Sequence, residues 1–69
     1  MEEKMNLNDY FLSLSGNKIL LLKDIARKCG VSLMTAERWC RFYYKADEKY
    51  WKGISEVTGI EPNELFNRF

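Results

Sequence analysis

Met34, Glu37, Arg38 and Arg41 recur at i, i+3, i+4 and i+7, which puts them on one side of a predicted helix opening just after Ser32. A guanidinium such as that of Arg38 donates two parallel hydrogen bonds to a guanine edge. A carboxylate such as that of Glu37 accepts from a cytosine amino group, and Leu33 or Met34 can touch a thymine methyl. A helix laid in the major groove offers its first two turns to base edges. Here those positions are Ser32, Leu33, Met34, Glu37, Arg38 and Arg41. The same residues have plainer uses. Glu37 and Arg41 can pair at i, i+4, Arg38 and Arg41 can be solvated charges, and Leu33 can sit half in the core. An exposed Met34 beside Leu33 would form an apolar spot more typical of a protein contact. Enzymatic chemistry has little to work with. The chain has no His for acid–base transfer, no glycine-rich phosphate loop, and no Ser or Cys with a nearby base.

The elements that must position this face read as helix, tight turn, second helix. Ile25, Ala26 and Cys29 fall on one side of the first helix. Gly30 follows, able to take the left-handed conformation that ends a helix. Val31 is an apolar plug at the corner, and Ser32 can cap the next helix. Along that second helix Ala36, Trp39, Cys40 and Tyr43 share the inward face. Ala26 is small enough for the two helices to approach closely. This is the physical recipe for a helix-turn-helix.

These residues also carry a resemblance. Ile25, Ala26, Arg27, Lys28, Cys29, Gly30, Val31 and Ser32, then Thr35, Ala36, Glu37, Arg38 and Trp39, resemble the motif of Cro and lambda-repressor-like DNA-binding proteins. Residues 54–66, with Ile54, Val57, Gly59, Pro62, Leu65 and Phe66, resemble the last part of the same domain at matched spacing. The resemblance covers roughly residues 7 to 66. It implies an all-α bundle of about five short helices around a central helix-turn-helix. It implies a sequence-specific transcriptional regulator of bacterial, phage or mobile-element origin, with double-stranded DNA as partner and a homodimer as the usual binding form. It places phosphate contacts just beyond the reading helix, where Tyr43, Tyr44, Lys45 and Lys49 stand. The chain departs from the family at the start of the first motif helix. A small hydroxyl cap and a phosphate-binding Gln are usual there, and Leu21 and Leu22 occupy those places. The backbone amides at that end can still meet a phosphate, with Lys23 nearby.

At 69 residues the chain is one domain, with residues 1–5 expected as a frayed tail and 6–69 as the folded unit. Hydrophobic residues make up 46% of it, against one Pro and four Gly, which argues against disorder. Its longest aliphatic run, Ile19 to Leu22, is far short of a membrane span. The acidic, charged start is unlike a secretory signal, so a cytoplasmic location is expected. Cys29 and Cys40 are expected as small buried thiols, with neither a disulfide nor a zinc site. No cofactor, metal or small-molecule ligand is indicated. Net charge is only +1, yet residues 23–52 hold eight basic against four acidic residues, so positive charge gathers in the motif and just after it.

Taken in order, Asn6 and Asp9 predict a capping box for a first helix over about 7–15. Leu7, Tyr10, Phe11 and Leu14 supply its apolar stripe. The second helix is expected over about 20–29, longer if Asn17 caps it. The third starts after Ser32 and extends to about 44. Asp47 is expected to cap a fourth helix with Tyr50, Trp51, Ile54, Val57 and Thr58 along one side. Gly53 within it costs about 1 kcal/mol relative to Ala unless a neighbour packs closely. Pro62 fits the first turn of a short fifth helix, with Leu65, Phe66 and Phe69 docking or forming a dimer face. Near-neutral charge and apolar Leu33 and Met34 on the outer face keep a second reading open, a protein-interaction module on the same fold.

Overall fold

The computed structural model describes residues 5–67 and is all-helical, with no strand among the described residues. Four α-helices, α1 (Leu7–Ser13), α2 (Lys18–Cys29), α3 (Leu33–Cys40) and α4 (Trp51–Thr58), are joined by short connections. A 3-10 turn, Glu48–Tyr50, runs into α4, and a second, Pro62–Glu64, follows it. The last element is thus a single 3-10 turn with Pro62 at its start, where the sequence suggested a short fifth helix. Residues 1–4, most of the expected tail, and Phe69 lie outside the described residues.

The α1 start is as the sequence implies. The Asn6 side chain accepts from the Asp9 amide at 2.8 Å, and the Asp9 carboxylate accepts from the Asn6 amide at 3.4 Å. The Leu7 amide donates to the Leu65 carbonyl at 2.9 Å, tying the first helix to the last turn. The helix ends at Ser13, before the expected 15, because Leu14 turns to extended backbone.

Helix α2 begins at Lys18, earlier than the expected 20. Asn17 holds the cap position, but its side chain bonds no amide there. The early start moves Leu21 and Leu22 a turn into the helix, where both are buried. At the other end Gly30 adopts φ +71°, and the Val31 amide closes back onto the Ala26 carbonyl at 3.0 Å. Ser32 then caps α3, accepting from the Thr35 amide at 3.1 Å.

Helix α3 stops at Cys40, short of the expected 44. Phe42 takes the left-handed conformation, φ +62°. Its amide bonds the Trp39 carbonyl at 3.0 Å and the Tyr43 amide bonds the Arg38 carbonyl at 2.9 Å. That is the double closure usually made by glycine. The Phe42 ring meets Phe66 with centroids 5.5 Å apart, a contact that directs the chain inward at this point. Tyr43, expected on the buried face with Ala36, Trp39 and Cys40, is instead exposed beyond the turn.

The core joins all these elements. Leu7 and Phe11, Ile25, Cys40, Ile54 and Leu65 are fully buried. Trp39 is buried behind α3, and its ring lies 5.1 Å from that of Tyr50. Trp51 is half-buried and donates its indole N–H to the Ala46 carbonyl at 2.8 Å. Asp47 caps the 3-10 turn rather than α4 itself, accepting from the Lys49 amide at 3.4 Å. Gly53 permits α2 and α4 to close up. A side chain there would begin 3.3 Å from both Cys29 Sγ and Lys28 Cγ. No helix among the described residues is long and apolar enough to cross a membrane.

Candidate nucleic-acid interface

Helix α3 is anchored from behind by Ala36, Trp39 and Cys40, all buried. Its opposite side is open. Met34 is 58% exposed and Leu33 40% exposed, so both present apolar surface to solvent. Ser32 is exposed, with its hydroxyl committed to the α3 cap and lying 3.0 Å from the Thr35 hydroxyl.

The three charged residues of this face differ in how they are held. Arg41 donates through Nε to the Glu37 carboxylate at 2.9 Å, the i, i+4 pair. Its guanidinium also lies 5.3 Å from the centre of the Phe11 ring on α1. Arg38 is exposed and has no carboxylate partner among the described residues; its guanidinium lies 5.7 Å from the Tyr44 ring. Arg38 is therefore the cation on this face that is available without first breaking an ion pair.

Beyond α3 the chain sets cations over aromatic faces. Lys45 Nζ lies 5.5 Å from the Trp51 ring, and Lys49 Nζ lies 5.2 Å from the Tyr50 ring. Tyr43 and Tyr44 are 66% and 57% exposed. The left-handed turn at Phe42 puts both tyrosines outside the core. Lys23 is exposed on α2. Arg27 is taken up by Asp24 at 2.7 Å.

Away from this face the fold gathers Lys28 and Lys52 with Lys49 between α2 and α4; sequence reasoning counted both among the basic residues of 23–52 without assigning them to a site. Lys28 reaches across from α2 to Glu56 on α4 at 2.9 Å. The hydrogen bond and charge of Lys28, aided by Lys52, hold the Glu56 carboxyl below its ordinary range. Glycine within a helical stripe was the available signal, since it marks where another helix must come close.

Both cysteines are free. Burial pushes the Cys40 thiol up to about 12, with Arg41 opposing and Glu37 adding to the shift. Cys29 is half-buried and is likewise raised by burial; its thiol donates to the Tyr50 carbonyl at 3.8 Å. Among the described residues no group of three or more Cys, Asp or Glu could hold a metal ion.

Comparison with protein families, curated proteins and solved structures returned no match. What the site can do thus follows from its own side chains. Among the described residues it offers one guanidinium without a carboxylate partner and two apolar contacts on α3, flanked by lysines and tyrosines whose chemistry suits a phosphate backbone.

Proposed function

We propose that this chain is a sequence-specific transcriptional regulator that binds double-stranded DNA through a helix-turn-helix of the Cro and lambda-repressor type. In this reading α2 and α3 form the motif, and the Pro62–Glu64 turn stands in place of a fifth helix. The protein acts in the cytoplasm, as a homodimer on paired half-sites, since one short domain reads few base pairs. The observation that carries the reading is the outer side of α3. It projects Met34 and an unpaired Arg38 into solvent while Trp39 fixes the helix from behind. Arg38 reads a base; Tyr43, Tyr44, Lys45, Lys49 and Lys23 meet phosphates. Glu37 and Arg41 become readers only by exchanging their mutual bond for base contacts.

Selection of bound sites from a random duplex pool, followed by titration over a salt series, tests this. A selected site should bind more tightly than random duplex, with affinity falling as salt rises. Arg38→Ala should cost about 1–3 kcal/mol and relax preference at one position. Lys45→Ala should weaken all sequences alike and reduce the salt slope by about 1. Binding no better than to random sequence, with no salt dependence, would overturn the proposal.

A specific observation favours the second reading, a protein-interaction module. Leu33, Met34, Tyr43 and Tyr44 are all exposed on and just after α3, in a chain of net charge +1. Partners captured from a lysate that survive nuclease treatment, and are lost in Met34→Glu, would support it over DNA binding.

A further inference from the structure

A cleft of about 430 Å³ opens between the end of α2 and the start of α4, away from the residues of α3. Three lysines line it, Lys28, Lys49 and Lys52, against a single carboxylate, Glu56. Lys28 is bonded to Glu56 at 2.9 Å and Lys52 also acts on that carboxylate, so the lining carries three positive charges against one negative, a net of two. Lys49 lies over the Tyr50 ring and Lys52 is exposed. Both belong to the segment where α4 begins, the end at which a helix disfavours positive charge. No acidic residue lies in the first turn of α4 itself, while Asp47 and Glu48 stand at the start of the 3-10 turn that leads into it. Gly53 also lines the cleft; with no side chain there, the Cys29 thiol and the Lys28 stem remain uncovered.

We propose that this cleft binds a phosphoryl group, contributed either by a free phosphorylated small molecule or by a nucleic-acid backbone. The lining's net charge of two positive matches a phosphate dianion. Lysine, a compact charge with three donors, suits a tetrahedral oxyanion approached from several sides, where the planar arginine fork suits a two-point edge. The shared carboxylate has its own role, holding Lys28 at one wall. The site does not depend on what α3 reads, because no α3 residue lines it.

The test is a titration of the full chain with inorganic phosphate against chloride at matched ionic strength, followed by amide chemical shifts. Saturable shifts are expected at Cys29, Tyr50 and Gly53, with slower labelling of the Cys29 thiol by a neutral alkylating reagent. Both effects should be lost in Lys49→Gln/Lys52→Gln. These side chains are exposed, and far-UV circular dichroism verifies that the variant stays folded. Shifts that remain linear in phosphate, or persist in the double variant, would overturn the site. A salt series with random duplex then separates the sources. Because Lys49 also belongs to the proposed DNA face, the source is read from Lys52→Gln alone. A nucleic-acid backbone predicts a slope lowered by about one. A free phosphorylated ligand predicts an unchanged slope while the native chain still saturates with phosphate. Failure of sequence-specific DNA binding would leave the phosphate titration standing, so the two proposals fall separately.

Discussion

Phe42 sets where α3 ends, and its left-handed backbone allows an unusual ordering of variants. A non-glycine residue in that conformation costs about 1–2 kcal/mol. The ring offsets this by packing on Phe66 at 5.5 Å. Phe42 is half-buried. Removing its ring gives up roughly 100 Å² of buried apolar surface, about 2.5 kcal/mol. Phe42→Ala loses that contact and keeps the backbone strain. Phe42→Gly loses the same contact and releases the strain, at an entropic cost of about 0.5–1 kcal/mol in the unfolded chain. The expected order of stability is therefore wild type, then Phe42→Gly, then Phe42→Ala. The two variants should differ by about 0.5–1 kcal/mol, the reverse of the order at an ordinary helical position. A chain of this size has only about 3–10 kcal/mol in total. Urea unfolding followed by tryptophan fluorescence reads the gap, since about 1 kcal/mol moves the midpoint by roughly 0.5–1 M. If Phe42→Ala proves as stable as Phe42→Gly, the backbone at Phe42 is not strained and the cap argument fails.

Other outcomes follow from single contacts. Ser32→Ala removes the side-chain acceptor for the Thr35 amide and should cost about 1 kcal/mol in the same urea experiment. Gly53→Leu places a side chain where Cys29 and Lys28 already lie within 3.3 Å, and should destabilise by about 1–3 kcal/mol through forced separation of α2 and α4. The raised thiol of Cys40 makes stability pH-dependent in the alkaline range. Its folded value of about 12 exceeds the ordinary 9.0, so its contribution is complete below pH 9 and declines by about 1.4 kcal/mol per unit as pH rises towards 12. That component of the slope should vanish in Cys40→Ala, and in the native protein a thiol reagent should modify Cys29 well before Cys40.

Local chemistry was legible in the sequence wherever it was self-contained. Asn6 with Asp9, and Gly30 followed by Ser32, each satisfy a helix end with groups a few residues apart, and both caps form where the residue types demand them. Boundaries that depend on distant partners were not legible. The run Ile19 to Leu22 is apolar at every position and so carries no helical phase. Only the core reveals that Leu21 and Leu22 point inward while Ile19 and Leu20 stay exposed. The left-handed turn of Phe42 that ends α3 comes with its ring against Phe66, a partner that local pattern cannot connect to it. For the candidate interface, the Glu37–Arg41 pair could be read from spacing. The placement of Arg41 over Phe11 could not, nor could the meeting of Lys28, Lys49 and Lys52 across two helices.

The Glu37–Arg41 pair bears on discrimination in the proposed DNA complex. It is exposed, with side chains 44% and 43% accessible, so its net worth is about 0.3–0.5 kcal/mol. A bidentate guanine contact is worth about 1–3 kcal/mol, enough to draw Arg41 away from Glu37. A diffuse phosphate backbone gains less, because the Glu37 charge remains beside whatever Arg41 approaches. The carboxylate thus penalises non-specific attachment more than specific attachment, in a chain whose net charge of +1 already keeps long-range attraction low. Glu37→Gln should therefore tighten binding to random duplex, steepen its salt dependence, and narrow the ratio between selected and random sites. The measurement is the pair of dissociation constants at two salt concentrations. An unchanged ratio, or weaker binding to random duplex, would mean that Glu37 acts on the fold of α3 and not on the charge its face presents.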